Sequence, residues 1–180
     1  SVAARGMRGQ TYTIGLLLVE LDNPFLPNVV GGITSVLDQV GYRPLIGIGR
    51  SAMALEASLI EAMIDNRMDG LILIAPRIAG KTLARFAQQI PMVVIAHHEP
   101  SAVAFDTVNS DDRAGAALSV RKLVESGYED IAMLSLQDAA IGEENVSVQR
   151  EIGYMQAMQE AGLKDRARII WLARHNADHE

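Results

Sequence analysis

Thr13-Ile-Gly-Leu-Leu-Leu-Val19, followed at once by Glu-Leu-Asp-Asn-Pro-Phe25, sets the architecture of this chain. An uninterrupted apolar run of that length predicts a strand covered on both faces, as in a parallel sheet flanked by helices. The turn that follows is a helix start: Asn23 can cap free N–H groups, and Pro24 suits the first helical position. Val29, Ile33, Val36, Leu37 and Val40 then recur at helical spacing, and Gly41 supplies a left-handed stop.

The same unit repeats along the chain. The spacing predicts a strand at 42–48, a helix at 52–67 buried through Leu55, Leu59 and Met63, and a strand at 69–75. A short helix at 81–89, a strand at 91–96, an extended piece at 105–108 and a helix at 111–126 closed by Gly127 complete a first lobe. Strands and helices alternating through such short connections require parallel pairing by right-handed crossovers, so the expected fold is α/β, an open, doubly wound parallel sheet. A strand at 130–136, a helix at 144–161 stopped by Gly162 and a strand at 168–172 begin a second lobe that looks unfinished. The expected organisation is a linker at 1–10, an N-terminal lobe at 11–127 and a partial C-terminal lobe at 128–180.

Composition narrows the function. Twenty-two acidic residues against sixteen basic ones give a formal net charge of −6, which argues against a phosphate-binding surface on this segment. The absence of cysteine excludes disulfides and thiolate metal sites. No apolar run has the length of a signal-peptide core or a membrane span, so the expected chain is soluble and cytoplasmic. No nucleophile–base pair, paired carboxylates or phosphate loop occurs at a recognisable spacing, and the expectation is a binding protein rather than an enzyme. Gly47-Ile-Gly49 lacks the third glycine of a dinucleotide turn, and no cofactor is expected.

In open parallel sheets ligands bind beyond the carboxyl ends of the strands. That rule selects the loops at 20–25, 47–51, 75–77 and 97–99, with 137–150 from a facing lobe. The motifs in and around them carry a resemblance: Ile14-Gly-Leu-Leu-Leu-Val-Glu-Leu-Asp-Asn-Pro-Phe25, then Val30-Gly-Gly-Ile33, Asp69-Gly-Leu-Ile-Leu73, Pro91-Met-Val-Val-Ile95, Val108-Asn-Ser-Asp-Asp-Arg-Ala-Gly-Ala116 and Arg150-Glu-Ile-Gly-Tyr154. In order and spacing over residues 2–163, the chain resembles the lactose-repressor (LacI) family of transcription regulators. The resemblance implies a type I periplasmic-binding-protein-like sensor whose two lobes close over a small-molecule effector, a sugar or sugar derivative. It also implies a helix-turn-helix headpiece on operator DNA, and a homodimer. A periplasmic sugar-binding protein of an ABC transporter shares this plan and is the alternative.

The resemblance nominates Phe25 as an aromatic lying against the effector, although helix-start packing is its plainer role. Arg150 matches an effector-binding arginine, against a surface ion pair with Glu143 or Glu144. Asp22 and Asn23 offer hydroxyl contacts or a helix cap, and Asp111 with Asp112 offers the same choice on the next helix. His97 and His98 stand where relatives often place Asp followed by Arg or an aromatic. They suit a polar wall, since adjacent histidines point in different directions and no third metal ligand is spaced with them. Residues 2–8 resemble the end of a hinge helix, with Met7 as a minor-groove wedge beside Arg5, or else form a basic terminus.

Overall fold

A computed structural model describes residues 9–99, 103–137 and 145–173. The elements are β1 (Thr13–Leu18), α1 (Phe25–Gln39), β2 (Arg43–Ile48), α2 (Met53–Asp65), β3 (Gly70–Ile74), α3 (Gly80–Ala87), β4 (Met92–Ile95), β5 (Asp106–Val108), α4 (Asp112–Glu125), β6 (Ala132–Gln137), α5 (Val146–Glu160) and β7 (Arg168–Ala173). They fall into two compact units, Ser1–Val108 and Asn109–Glu180.

The first unit is a five-stranded sheet in the order β2-β1-β3-β4-β5, with every neighbouring pair parallel. β1 lies between β2 and β3, in register from Ile14 opposite Pro44 and Gly70 to Leu18 opposite Ile48 and Ile74. The two faces of β3 show why the strands are apolar without interruption. Leu71 and Leu73 join a core with Ile60, Met63 and Leu83 from α2 and α3. Ile72 and Ile74 meet Leu26, Val29 and Ile33 from α1 on the other face. Gly41 and Gly127 end α1 and α4 at φ 76° and 89°, the left-handed stops that the sequence predicts.

The second unit holds β6 and β7, paired in parallel from Ala132 opposite Arg168 to Gln137 opposite Ala173. The sequence reading ends the first lobe at residue 127, whereas the compact units divide after Val108. Helix α4 accounts for the difference: its Ala117 and Val120 bury against Tyr154, Ala157 and Met158 of α5 and Ile131 at the start of β6. Gly153 permits the close approach, since a Cβ there would collide with the Arg113 carbonyl oxygen. The second unit therefore has two helices where the sequence reading gives it one.

A second correction concerns α2. Its buried stripe is Glu56, Ile60 and Met63; Leu55 and Leu59 are only partly buried. The stripe shares Met63 with the predicted one but runs through Glu56 and Ile60 in place of Leu55 and Leu59, and it carries a carboxyl into the interior.

Candidate functional site

Because all five strands of the first unit are parallel, their carboxyl ends share one edge. The connections there are tightly turned. Four of the six described non-glycine residues with positive φ lie on this edge: Arg50 and Ser51 after β2, Ala75 after β3 and Ala96 after β4. A left-handed residue with a side chain costs about 1–2 kcal/mol, and such residues gather where surrounding structure dictates the backbone. Hydrogen bonds supply that constraint. Gly49 and Ser51 donate their N–H groups to the carbonyls of Leu18 and Val19, and Ala75 donates to Ile95, at 2.8 Å each.

The turn after β1 presents Phe25. Asn23 Oδ1 accepts from Phe25 N–H at 3.0 Å, and the Asn23 carbonyl accepts from Leu26 N–H at 3.1 Å. Asn23 thus accepts from two N–H groups at the helix start, one residue ahead of Pro24, which holds the N-cap position of α1. Leu26 is buried and anchors the turn, while Phe25 remains 55% exposed. Packing at the helix start is the work of Leu26, which leaves the Phe25 ring on the surface. Asp22 is exposed beside it.

The histidine pair divides after β4. His97 is 4% exposed and belongs to the interior; His98 is half-buried and offers a polar edge to the surface. Among the described residues, no group of three or more His, Asp or Glu side chains is placed to hold a metal ion.

The second unit brings Arg150 to Asp112. Arg150 Nε donates to Asp112 Oδ1 at 2.7 Å, Nη2 forms an ion pair with the same oxygen at 2.7 Å, and Ser110 Oγ donates to Asp112 Oδ2 at 3.2 Å. The Asp112 side chain is 4% exposed, whereas half of the Arg150 side chain meets solvent. A buried carboxylate thus fixes the orientation of a half-exposed guanidinium. The guanidinium carries five N–H donors in one plane, and Nε is spent on Asp112. Tyr154 and Val120 line with this pair a cavity of about 430 Å³ within the second unit. Asp111 caps α4 through Oδ1 to Ala114 N–H at 2.9 Å and is exposed. The two neighbouring aspartates thereby take different tasks. Met7, Arg5, Glu143 and Glu144 lie outside the described residues.

Sequence reasoning also misses Glu56, which lies behind the same edge of the first unit. Its Oε2 accepts from the N–H groups of Arg77 at 2.8 Å and Ile78 at 3.2 Å, tying the start of α2 to the loop after β3. Burial pushes its pKa up to about 7, against the smaller lowering effect of the Ile78 hydrogen bond. A usable signal exists in the sequence, since Glu56, Ile60 and Met63 stand at i, i+4 and i+7.

Residues 11–180 match the family described as periplasmic binding proteins and sugar binding domain of LacI family. Among curated proteins, the chain is 26% identical to the HTH-type transcriptional repressor PurR of Erwinia tasmaniensis, over all of this chain and 52% of that protein. Among solved structures, a LacI family transcriptional regulator from Silicibacter pomeroyi is 27% identical with a TM-score of 0.73, covering 88% of this chain and 58% of that one. The Cra transcriptional dual regulator from Pseudomonas putida, in complex with fructose 1-phosphate, shares the fold at 24% identity and a TM-score of 0.79, over 90% of this chain and 58% of that one. The chain spans about half the length of the curated relatives it matches. By the match over nearly its whole length, joined to a β2-β1-β3-β4-β5 parallel sheet, this chain belongs to the family of periplasmic binding proteins and sugar-binding domains of LacI regulators.

Proposed function

We propose that this chain is the small-molecule-sensing part of a LacI-type transcriptional repressor, binding a sugar or sugar derivative and catalysing nothing. The observation that carries the reading is Phe25: a ring left 55% exposed by a capped and anchored turn, at the strand ends where parallel sheets receive ligands. A flat apolar face suits the C–H face of a sugar ring. Polar contacts are assigned to Asp22, Asn23 and His98 on the first unit, with His97 behind its neighbour, and to Arg150 and Asp111 on the second. The fructose 1-phosphate held by the Pseudomonas putida neighbour and the D-xylulofuranose held by a periplasmic binding protein/LacI transcriptional regulator of Alkaliphilus metalliredigens favour a sugar-type effector. The named repressors among the relatives favour regulation over transport, the alternative use of this fold.

Operator binding is assigned to a helix-turn-helix headpiece on the same polypeptide, with Met7 and Arg5 in its hinge, and the site of action to the cytoplasm. Effector binding controls DNA binding only if the effector has different affinities for the DNA-bound and released arrangements. Homodimerisation fits a two-fold operator. Exposed apolar residues on the sheet edge and its helix, Leu45 and Ile46 of β2 with Val36 and Val40, supply a surface for it. Sedimentation of the chain with its full sensor domain reads this directly, and monomers alone at high concentration would overturn the dimer.

Thermal-shift screening against sugars, sugar phosphates and purines tests the sensing role. A ligand at about 100 times its dissociation constant stabilises by roughly 2.7 kcal/mol. The expected result is a shift with a sugar or sugar phosphate that Phe25→Ala reduces without lowering the unliganded midpoint by more than a degree or two, and that Arg150→Ala reduces by more than the stability it loses with the Asp112 ion pair. A shift that survives both substitutions removes these residues from the site.

A further inference from the structure

Glu56 occupies an unusual place for a carboxyl. It is fully buried in the first turns of α2, flanked by the turn after β2 and the loop at 75–79 after β3. Oε2 accepts two backbone N–H groups from that loop, and Oε1 is buried without a hydrogen-bond partner among the described residues. Gly49 makes the room: a Cβ on Gly49 would collide with Glu56 Cγ. The loop is held at both ends as well, by left-handed Ala75 and by Ile78, whose side chain is in the core with Ile60 and Leu83.

We propose that Glu56 is a positioning residue and a pH-sensitive latch: protonated, it fastens the loop at 75–79 to α2, and ionised, it favours an opened loop that admits water to the carboxylate. The bearing of this latch on ligand binding rests on reading the carboxyl edge of the sheet as the sensing site. The physical cause is the geometry of one buried oxygen serving two donors while the other has none. That pattern suits a neutral acid, whose carbonyl oxygen accepts and whose second oxygen keeps the proton. An ionised carboxylate in the same place is shielded from bulk solvent, which disfavours its charge, and opening the loop exposes it.

The direction of the pH effect follows. The closed loop holds the proton up to about pH 7, whereas an opened, hydrated Glu56 releases it near 4.5. The closed form is therefore fully favoured below pH 4.5, loses its advantage between pH 4.5 and 7, and is least favoured above that. The charged side chains on the segments that meet here are Glu20, Arg50 and Arg77. Burial, rather than any of these charges, is the main cause of the raised pKa.

The test is hydrogen–deuterium exchange of the whole chain without ligand, at pH 5 and pH 8, corrected for intrinsic rates. Protection at Arg77 and Ile78 is expected to fall at least tenfold from pH 5 to pH 8, while Leu73 in β3 stays constant. Glu56→Gln, which keeps the shape and the acceptor but cannot ionise, is expected to hold protection level across the range. Glu56→Ala is expected to expose both amides at either pH. Equal protection at the two pH values in the unaltered chain, or an equally steep fall in Glu56→Gln, overturns the latch. Should a variant fail to fold, the pH series on the unaltered chain decides alone. No ligand enters the measurement, so a flat profile sinks the latch and spares the sensing role. A screen that finds no ligand does the reverse.

Discussion

The two sheets of this protein are built from strands of similar composition and stabilised in different ways. In the first unit, β3 is covered on both faces, Leu71 and Leu73 by α2 and α3, Ile72 and Ile74 by α1. In the second unit α4 and α5 cover one face of β6 and β7, through Met133 and Ile169. Leu134, Leu136, Ile170 and Leu172 on the other face are exposed. An apolar strand pattern records a demand for cover, and the neighbours determine how much of that demand is met. Polar ties lie beside the partly covered sheet, as they do in the first unit, where Asp69 Oδ2 accepts from Tyr12 N–H at 2.7 Å. Tyr154, Asp112 with Arg150, and Ser135 Oγ on Glu151 Oε1 at 2.5 Å are all in the second unit.

The largest expected effect breaks this contrast at one residue type. Leu73 is 0% exposed and Leu134 is 62% exposed. Leu73→Ala removes a side chain enclosed on all sides and should cost the first unit about 3–4 kcal/mol, lost transfer energy together with a cavity. Leu134→Ala removes little buried area and should cost the second unit less than about 1 kcal/mol. Urea denaturation reads both. The single tryptophan, Trp171 in β7, reports the second unit by fluorescence, and hydrogen exchange at Leu71 and Ile72 reports the first. Equal losses at the two positions would mean that Leu134 is covered in solution, and the comparison would fail.

Helices α1, α4 and α5 are legible in the sequence because each is announced twice, by periodicity and by a glycine stop, Gly41, Gly127 or Gly162. The parallel sheet follows from the alternation of strands and helices. The partner of α4 is not legible. Ala117 and Val120 announce a buried stripe, but the same stripe would fit either unit, and only the approach allowed by Gly153 assigns it to α5. On the candidate site, Asn23 and Pro24 announce the helix that opens at Phe25, since helix-start signals are local, whereas the carboxyl-end rule only selects the loop at 20–25. It cannot separate Asp111 from Asp112. One residue's difference in position turns the first outward as a cap and buries the second against Arg150, a contact between positions 38 residues apart. Glu56 was hidden for another reason: binary patterning assigns a glutamate to the solvent face, and two backbone donors from a distant loop reverse that assignment.

A smaller effect sharpens the contrast from the polar side. The Tyr154 hydroxyl lies 2% exposed beneath β6 and β7, donating to the Ile131 carbonyl at 2.9 Å and accepting from Arg168 N–H at 2.7 Å. One hydroxyl thus fastens α5 to the starts of both strands. Tyr154→Phe keeps the ring and its packing but leaves a donor and an acceptor without their partner. The expected cost is about 1–2 kcal/mol, between the value of an ordinary hydrogen bond and the penalty for a buried group left unpaired. The loss should appear in the Trp171 transition and leave exchange at Leu71 unchanged. A Tyr154→Phe chain as stable as the parent would mean that apolar packing alone holds the second unit, despite its half-covered sheet. The polar ties would then be incidental to the difference between the two halves.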